Sequence, residues 1–388
     1  MILIEEVEKR LKMNTHHFHL ESTDNLIGFA VNNAKPEEQV KVLTKASVTS
    51  DEPEFYTYTE QISNIFLSKI HISPSIVYQI LILIHKDLTA DVYINKFLVE
   101  IEILPKRDFK AGEIVMHNDI ADIRSMKFSN IKITESDKVI YCFKVGWKFG
   151  LFFDLDRRTK LDVESMSLTL GTLNRYLSFQ SIYKVLESKE QFEEMLKDGW
   201  FPFIELIGKD FDSLDKAYHD KFDFKNRIER VFSSFDKTRV QNIIDKWWNK
   251  QIFKDKKQIL LAGINAFHRS DNEGYINCIK TLLTEIEGII RLQYFSDTGK
   301  SKDVKISDLL KYLIEKGKIK SGSDYSLFLP IPFLKYLEDV VFSNFDLATN
   351  KIDLSRHSSS HGVAKADDYT KIKALQMILI LDQIYFYI

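Results

Sequence analysis

The residues best suited to chemistry lie near the end of the sequence, in Ser355-Arg356-His357-Ser358-Ser359-Ser360-His361-Gly362. Arginine presents a planar, permanently charged fork that matches a phosphate, and histidine takes or gives a proton near neutrality. Held together, the two suit work on a phosphodiester. Between them stand three serines and a second imidazole, which leave nothing apolar to bury and keep the segment polar at an exposed helix start. Geometry restricts what one copy can do. Five steps along a helix leave Arg356 and His361 about 140° apart, whereas His357 and His361, four apart, share a face. A site using Arg356 with His361 therefore needs a distorted turn or a second copy facing the first, and the second option favours a symmetric homodimer. Spacing alone is a weak signal, since chance gives about 0.3 Arg-x4-His matches in a chain of 388 residues with 10 His. Arg10 and His16, six apart, satisfy a looser form of the pattern by coincidence, beside the cluster His16, His17 and His19.

The elements that must hold this segment are helical. From residue 156 onward the apolar period is that of helices, with candidates at 163–178, 188–197, 225–235, 238–250, 254–268, 272–295, 306–316, 329–342 and 367–388, joined by short polar connections. On 272–295 a single apolar stripe runs through Ile279, Leu282, Ile286 and Ile289. Glu285 and Glu287 fall on its opposite shoulders, read as solvated, with Glu287 paired to Arg291 at i,i+4. The last helix carries the longest apolar run, 377–388, interrupted by Asp382 and Gln383 and shorter than the roughly 20 residues that cross a bilayer. It reads as a buried helix.

The first 155 residues follow a different rule. After a short helix at 4–13, the stretch 76–103 is rich in β-branched and aromatic residues with a polar break at 86–89, the pattern of a hairpin. Further strands are expected at 130–134, 139–145 and 148–155, the last two separated by Gly146-Trp147. The fold class is thus α+β: an N-terminal domain with a mainly antiparallel sheet (1–155), a helical connecting region (156–235) and an all-α C-terminal domain (236–388).

Here the sequence resembles the HEPN superfamily, all-helical domains that include many ribonucleases of bacterial toxin and abortive-infection systems. The resemblance lies in Ser355-Arg356-His357-x-x-x-His361-Gly362, followed by a polar gap and the aliphatic helix 369–387. Upstream, Leu283-Thr284-Glu285-Ile286-Glu287-Gly288-Ile289-Ile290-Arg291 is similar to an earlier core helix of such domains. The likeness spans about 150 residues, from near Arg239 to the end, and leaves the first 155 untouched. It implies a metal-independent endoribonuclease acting as a homodimer, without cofactor. His361 would be the general acid or base, Arg356 the phosphate clamp and His357 the polar residue beside it, with Ser360 and Glu287 in support. The product would carry a 2′,3′-cyclic phosphate. Anti-phage defence or a toxin system is the implied setting, with a cognate antitoxin or regulatory ligand left open. The alternative is a non-catalytic adaptor whose helical domain binds a nucleotide, an RNA or a partner protein; the plainest reading of the segment itself is a polar helix start with Arg356 tied to a carboxylate such as Asp353.

Composition sets outer limits. Hydrophobic residues make up 44% and charged residues 28%, with 54 Lys+Arg against 56 Asp+Glu, which excludes a disordered chain or a uniformly polyanion-seeking surface. Two basic windows survive the balance. The segment 223–269 has 11 Lys+Arg against five Asp+Glu, and 300–320 has seven against three. Phe232, Phe235, Trp247, Trp248 and Phe253 lie among them and read as core, while the lysines leave room for a phosphate-tracking surface. Fourteen Gly offer no phosphate-cradling loop, and two Cys, Cys142 and Cys278, are too few for a disulfide framework and read as packed thiols in a cytoplasmic protein. His16, His17 and His19 read as a solvated loop rather than a metal site. Gly146-Trp147-Lys148-Phe149-Gly150 reads as a turn with the tryptophan packed beneath it. No membrane segment or serine-nucleophile elbow is expected.

Overall fold

The structure, a computed structural model, describes residues 15–22, 30–31, 35–39, 42–43, 46–300, 302, 304–323, 325–346 and 354–388. The helix expected at 4–13 and Arg10 lie outside the described residues. The chain forms two compact units: Met1–Glu102 with Ile123–Ser178, and Ile103–Asp122 with Phe179–Ile388.

The first unit is built on a six-stranded antiparallel sheet in the order β1-β6-β5-β9-β10-β4. Its strands are β1 (Thr15–His19), β4 (Ser47–Thr49), β5 (Gln79–Ile84), β6 (Thr89–Ile94), β9 (Lys138–Val145) and β10 (Lys148–Asp154). Short pairings of β2 (Ala30–Val31) with β3 (Val42–Leu43), and of β7 (Val99–Pro105) with β8 (Ile120–Phe128), stand apart from it. The central strands are apolar on both faces because both faces are covered. Along β5, Ile80, Ile82 and Ile84 enter one core cluster and Leu81 and Leu83 enter another, and on β9 Ile140 and Cys142 part from Val139, Tyr141 and Phe143 in the same way. That is the two-residue alternation of a strand. Helix α1 (Pro53–Ile62) supplies Phe55 and Ile62 to the first cluster. Helix α2 (Val163–Ser178) supplies Met166, Leu170, Leu173 and Leu177 to the second.

The hairpin expected within 76–103 is β5–β6, closed around 85–88. The strand expected at 130–134 is not formed. The Thr134 amide and hydroxyl both donate to Asp137 Oδ2, at 2.6 and 2.9 Å, and this local turn takes the groups a ladder would use. The first unit also runs to Ser178 and does not stop at residue 155, because α2 belongs to the sheet. A Cβ at Gly171 would lie 2.5 Å from the Arg124 carbonyl oxygen, so α2 touches backbone there.

The second unit is helical. After α3 (Gln180–Glu187), α4 (Lys189–Lys197), α5 (Lys209–Asp220) and α6 (Phe224–Ser233) come α7 (Lys237–Trp247), α8 (Gln251–Asp255), α9 (Lys257–Phe267), α10 (Asn272–Thr298), α11 (Ile306–Ser321), α12 (Pro330–Tyr336), the short α13 (Arg356–Ser360) and α14 (Lys371–Tyr387). Helix α14 is buried on nearly every side, as an all-round apolar sequence requires. The polar residues that interrupt it are used. Asp382 accepts from Trp247 Nε1 at 2.8 Å and pairs with Lys246 at 3.0 Å, while Gln383 donates to the Phe328 carbonyl at 3.0 Å and accepts from the Ile204 amide at 2.9 Å. Among the described residues, no helix is long and apolar enough to cross a membrane.

Candidate functional site

The segment that carries the motif is a single turn closed at both ends. Ser355 caps α13, accepting from the Ser358 amide at 3.2 Å, while the Ser358 hydroxyl accepts from the Ser355 amide at 2.9 Å. The Ser355 hydroxyl also donates to the Ser343 carbonyl at 2.9 Å, which ties the turn to the chain before it. At the other end Gly362 adopts φ +71°, its amide donating to the Ser359 carbonyl at 3.2 Å, and the Val363 amide reaches the Ser358 carbonyl at 3.1 Å. These two bonds form a Schellman closure, which wants glycine at the left-handed position. His361 is the last residue before it, with φ −83° and ψ −2°.

Arg356 and His361 go different ways. The Arg356 guanidinium turns to α10, where its Nε lies 2.8 Å from Glu287 Oε2 as an ion pair rather than an aligned hydrogen bond. Glu287 Oε1 accepts from Arg291 Nε at 2.7 Å, and Arg291 Nη1 donates to the Val304 carbonyl at 3.0 Å. One carboxylate is thus shared by two guanidinium groups. The expected pairing of Glu287 with Arg291 is present, but neither acid is a solvated shoulder: Glu285 and Glu287 are each only 8% exposed. Glu285 pairs instead with Lys256 at 2.9 Å. The polar shoulders are covered because α13 and the α8–α9 connection lie over them. Asp353, named beforehand as a partner for Arg356, lies outside the described residues.

His361 is exposed, and its ring meets Phe345 at 5.7 Å between centroids. His357 is half-buried, Ser358 is buried, and Ser360 is exposed. The Ser359 hydroxyl lies 3.2 Å from the Tyr369 hydroxyl. The turn is regular, so the 140° separation expected of Arg356 and His361 is not removed by distortion. Within one copy the structure brings Arg356 to Glu287, and leaves His361 facing outward.

The basic windows are more heavily committed than their charge count suggests. Arg227, Arg230, Arg239, Lys246, Lys256, Arg269, Lys316 and Lys318 are each within ion-pair distance of a carboxylate. Burial, with Lys320 and Lys316 nearby, pulls the Lys250 amine down to about 7. Phe235, Trp247 and Phe253 are buried, and Phe232 and Trp248 half-buried, which fits their reading as core.

Two readings in the first unit change. His16, His17 and His19 are in strand β1, not in a loop, and β1 finds its place by pairing with β6. Trp147 does not pack beneath its turn; it is 93% exposed at the tip of β9–β10. A linked set of titratable side chains was also missed. His85 Nδ1 lies 2.8 Å from Asp137 Oδ1, His85 Nε2 lies 3.3 Å from Asp91 Oδ2, and Asp91 Oδ1 lies 2.6 Å from His17 Nδ1. Ionised carboxylates only accept, so the imidazole can donate to both of them only in its doubly protonated form. Burial opposes that charge, but hydrogen bonds to and charges of Asp137 and Asp91 together raise the His85 pKa. The available signal was register: an antiparallel β5–β6 hairpin sets Asp91 beside the end of β5, and β1 then brings His17 opposite Asp91.

Among the described residues no group of three or more His, Cys, Asp or Glu is placed to hold a metal ion. Cys142 and Cys278 are buried, and burial pushes both thiols up to about 12. No family model, no curated protein and no solved structure matches this chain.

Proposed function

We propose that the helical unit is a metal-independent endoribonuclease of the HEPN type, working as a homodimer in the cytoplasm, in bacterial anti-phage defence or a toxin system. The observation that carries this reading is the state of His361: an exposed imidazole on a turn fixed at both ends, five residues after an arginine already oriented by a carboxylate. Preorganised groups of this kind stabilise charge where it develops. His361 takes the proton of the ribose 2′-hydroxyl as its oxygen attacks phosphorus. The bond from phosphorus to the 5′-oxygen breaks, the leaving oxygen takes a proton from water, to which His361 returns its own, and a 2′,3′-cyclic phosphate remains. Arg356 meets Glu287 through Nε, and the Nη1–Nη2 edge of its fork is the part that would meet the phosphate. Because Arg356 and His361 diverge within one copy, this chemistry calls for a second copy facing the first.

A second reading keeps the fold without the chemistry. The ion pair of Arg356 with a buried Glu287 also fits a structural role, as in a non-catalytic adaptor for RNA, a nucleotide or a partner protein. Purified full-length protein incubated with single-stranded RNA in EDTA separates the two. The nuclease reading expects RNA cleavage that His361→Ala abolishes while the fold, followed by circular dichroism, is kept. Equal cleavage by that variant, or none by the wild type, favours the adaptor.

A further inference from the structure

The β9–β10 hairpin of the first unit turns in two residues, Gly146 and Trp147. Gly146 has φ +60°, a value suited to the first position of a tight hairpin turn. Trp147 follows at the tip. The indole is therefore held out by a short, hydrogen-bonded ladder rather than by a loose loop. Around it lies a surface of related chemistry. Lys144 Nζ is 5.3 Å from the Trp147 ring centroid and 5.6 Å from that of Phe149. The Lys144 amide donates to the Tyr78 carbonyl at 2.9 Å, and Tyr78 is itself exposed. The Tyr78 hydroxyl donates to the Asn95 carbonyl at 2.8 Å, which brings Lys96 to the same end of the sheet. Among the described residues neither Lys144 nor Lys96 has a carboxylate within ion-pair distance, whereas Lys148 is held by Asp51 at 3.1 Å.

We infer that this end of the sheet is a docking surface for single-stranded nucleic acid, with Trp147 and Tyr78 stacking bases and Lys144 and Lys96 meeting phosphates. Exposed rings beside cations that no carboxylate holds are what such a strand requires: every base offers a π-face, and the backbone offers one negative charge per nucleotide. A bilayer surface would instead seat a broad apolar face carrying several large side chains. Here the exposed large side chains are Trp147, Tyr78 and Ile76, and an ammonium group lies against the indole, with a second lysine beside Asn95. The inference rests on the first unit alone and stands whether or not the helical unit cleaves RNA.

The test uses the full chain and a fluorescein-labelled, mixed-sequence 2′-O-methyl 12-mer, which has no 2′-hydroxyl to attack, so binding is read apart from cleavage. Anisotropy gives the affinity, and the part of the tryptophan quenching that is lost in Trp147→Tyr reports Trp147, since Trp200 and Trp247 are buried but Trp248 is only half-buried. Trp147→Ala and Lys144→Glu should each weaken binding about tenfold, with Trp147→Tyr retaining most of it. Both side chains are on the surface, and circular dichroism checks that the variants fold. The inference is overturned if the wild type does not bind the 12-mer, if both variants bind as the wild type does, or if the protein binds vesicles of phosphatidylcholine and phosphatidylserine but not the 12-mer.

Discussion

Glu287 is the residue on which the candidate site turns. It is buried, and its two oxygens face Arg356 and Arg291 separately. A buried acid between two bases fixes their positions more than it adds stability, because desolvation offsets much of the Coulomb attraction. Glu287→Gln keeps the shape and removes the charge. It should lower unfolding stability by about 1–3 kcal/mol in a denaturant titration, with part of the effect absent when Arg356 is also replaced by alanine and the rest belonging to the Arg291 contact. Additive losses in that double-mutant cycle would show that the Arg356–Glu287 contact carries no coupling. His85 supports a second residue-scale prediction. Its folded pKa is raised above 6.5 by Asp137 and Asp91, so its stabilisation is complete below about 6.5 and is lost as pH rises through the folded pKa. The gap in thermal midpoint between wild type and His85→Gln should be wider at pH 6 than at pH 9. A gap independent of pH contradicts the charged imidazole.

At the scale of elements, what could be read beforehand depended on whether an element's partners are near in sequence. Helix 163–178 was expected at its observed bounds, and the β5–β6 and β9–β10 hairpins were legible because each carries its own turn. Strand β1 was not, since its order comes from pairing with residues 70 to 78 positions away. Burial of Glu285 and Glu287 was hidden for the same reason: helical angles place a side chain on a shoulder but do not say what covers the shoulder. The exposed tip of β9–β10 shows the opposite error, where an apolar residue was assigned inward by type alone. Helix α2 offers the sharpest packing test. A Cβ on Gly171 would sit 2.5 Å from the Arg124 carbonyl oxygen and 2.7 Å from Ser125 Cα, both backbone atoms that cannot swing aside. Gly171→Ala, usually favourable within a helix, should therefore destabilise the first unit by about 1–3 kcal/mol in thermal or denaturant unfolding. A neutral or stabilising result would mean that α2 lies farther from β8 than it does in this structure.

For the whole molecule, the near balance of charge conceals how charges are spent. The sequence carries a formal net charge of −2, and its basic windows looked available for polyanions. Folding commits many of those cations to carboxylates, while Lys144 and Lys96, outside either window, have no such partner among the described residues. Sequence alone separated a sheet-bearing first part from a helical second part and located Arg356, His357 and His361 in one segment. The outward direction of His361, and the diversion of Arg356 to Glu287, required three-dimensional packing. A homodimeric nuclease remains the account that uses both residues, and the chemistry of the RNA ends it leaves tests that account most directly. RNA incubated with the full chain in EDTA should acquire 2′,3′-cyclic phosphate ends, detected by mass spectrometry of the fragments, and none should form with His361→Ala. Cyclic ends at equal yield with that variant, or 3′-hydroxyl ends with the wild type, would contradict it.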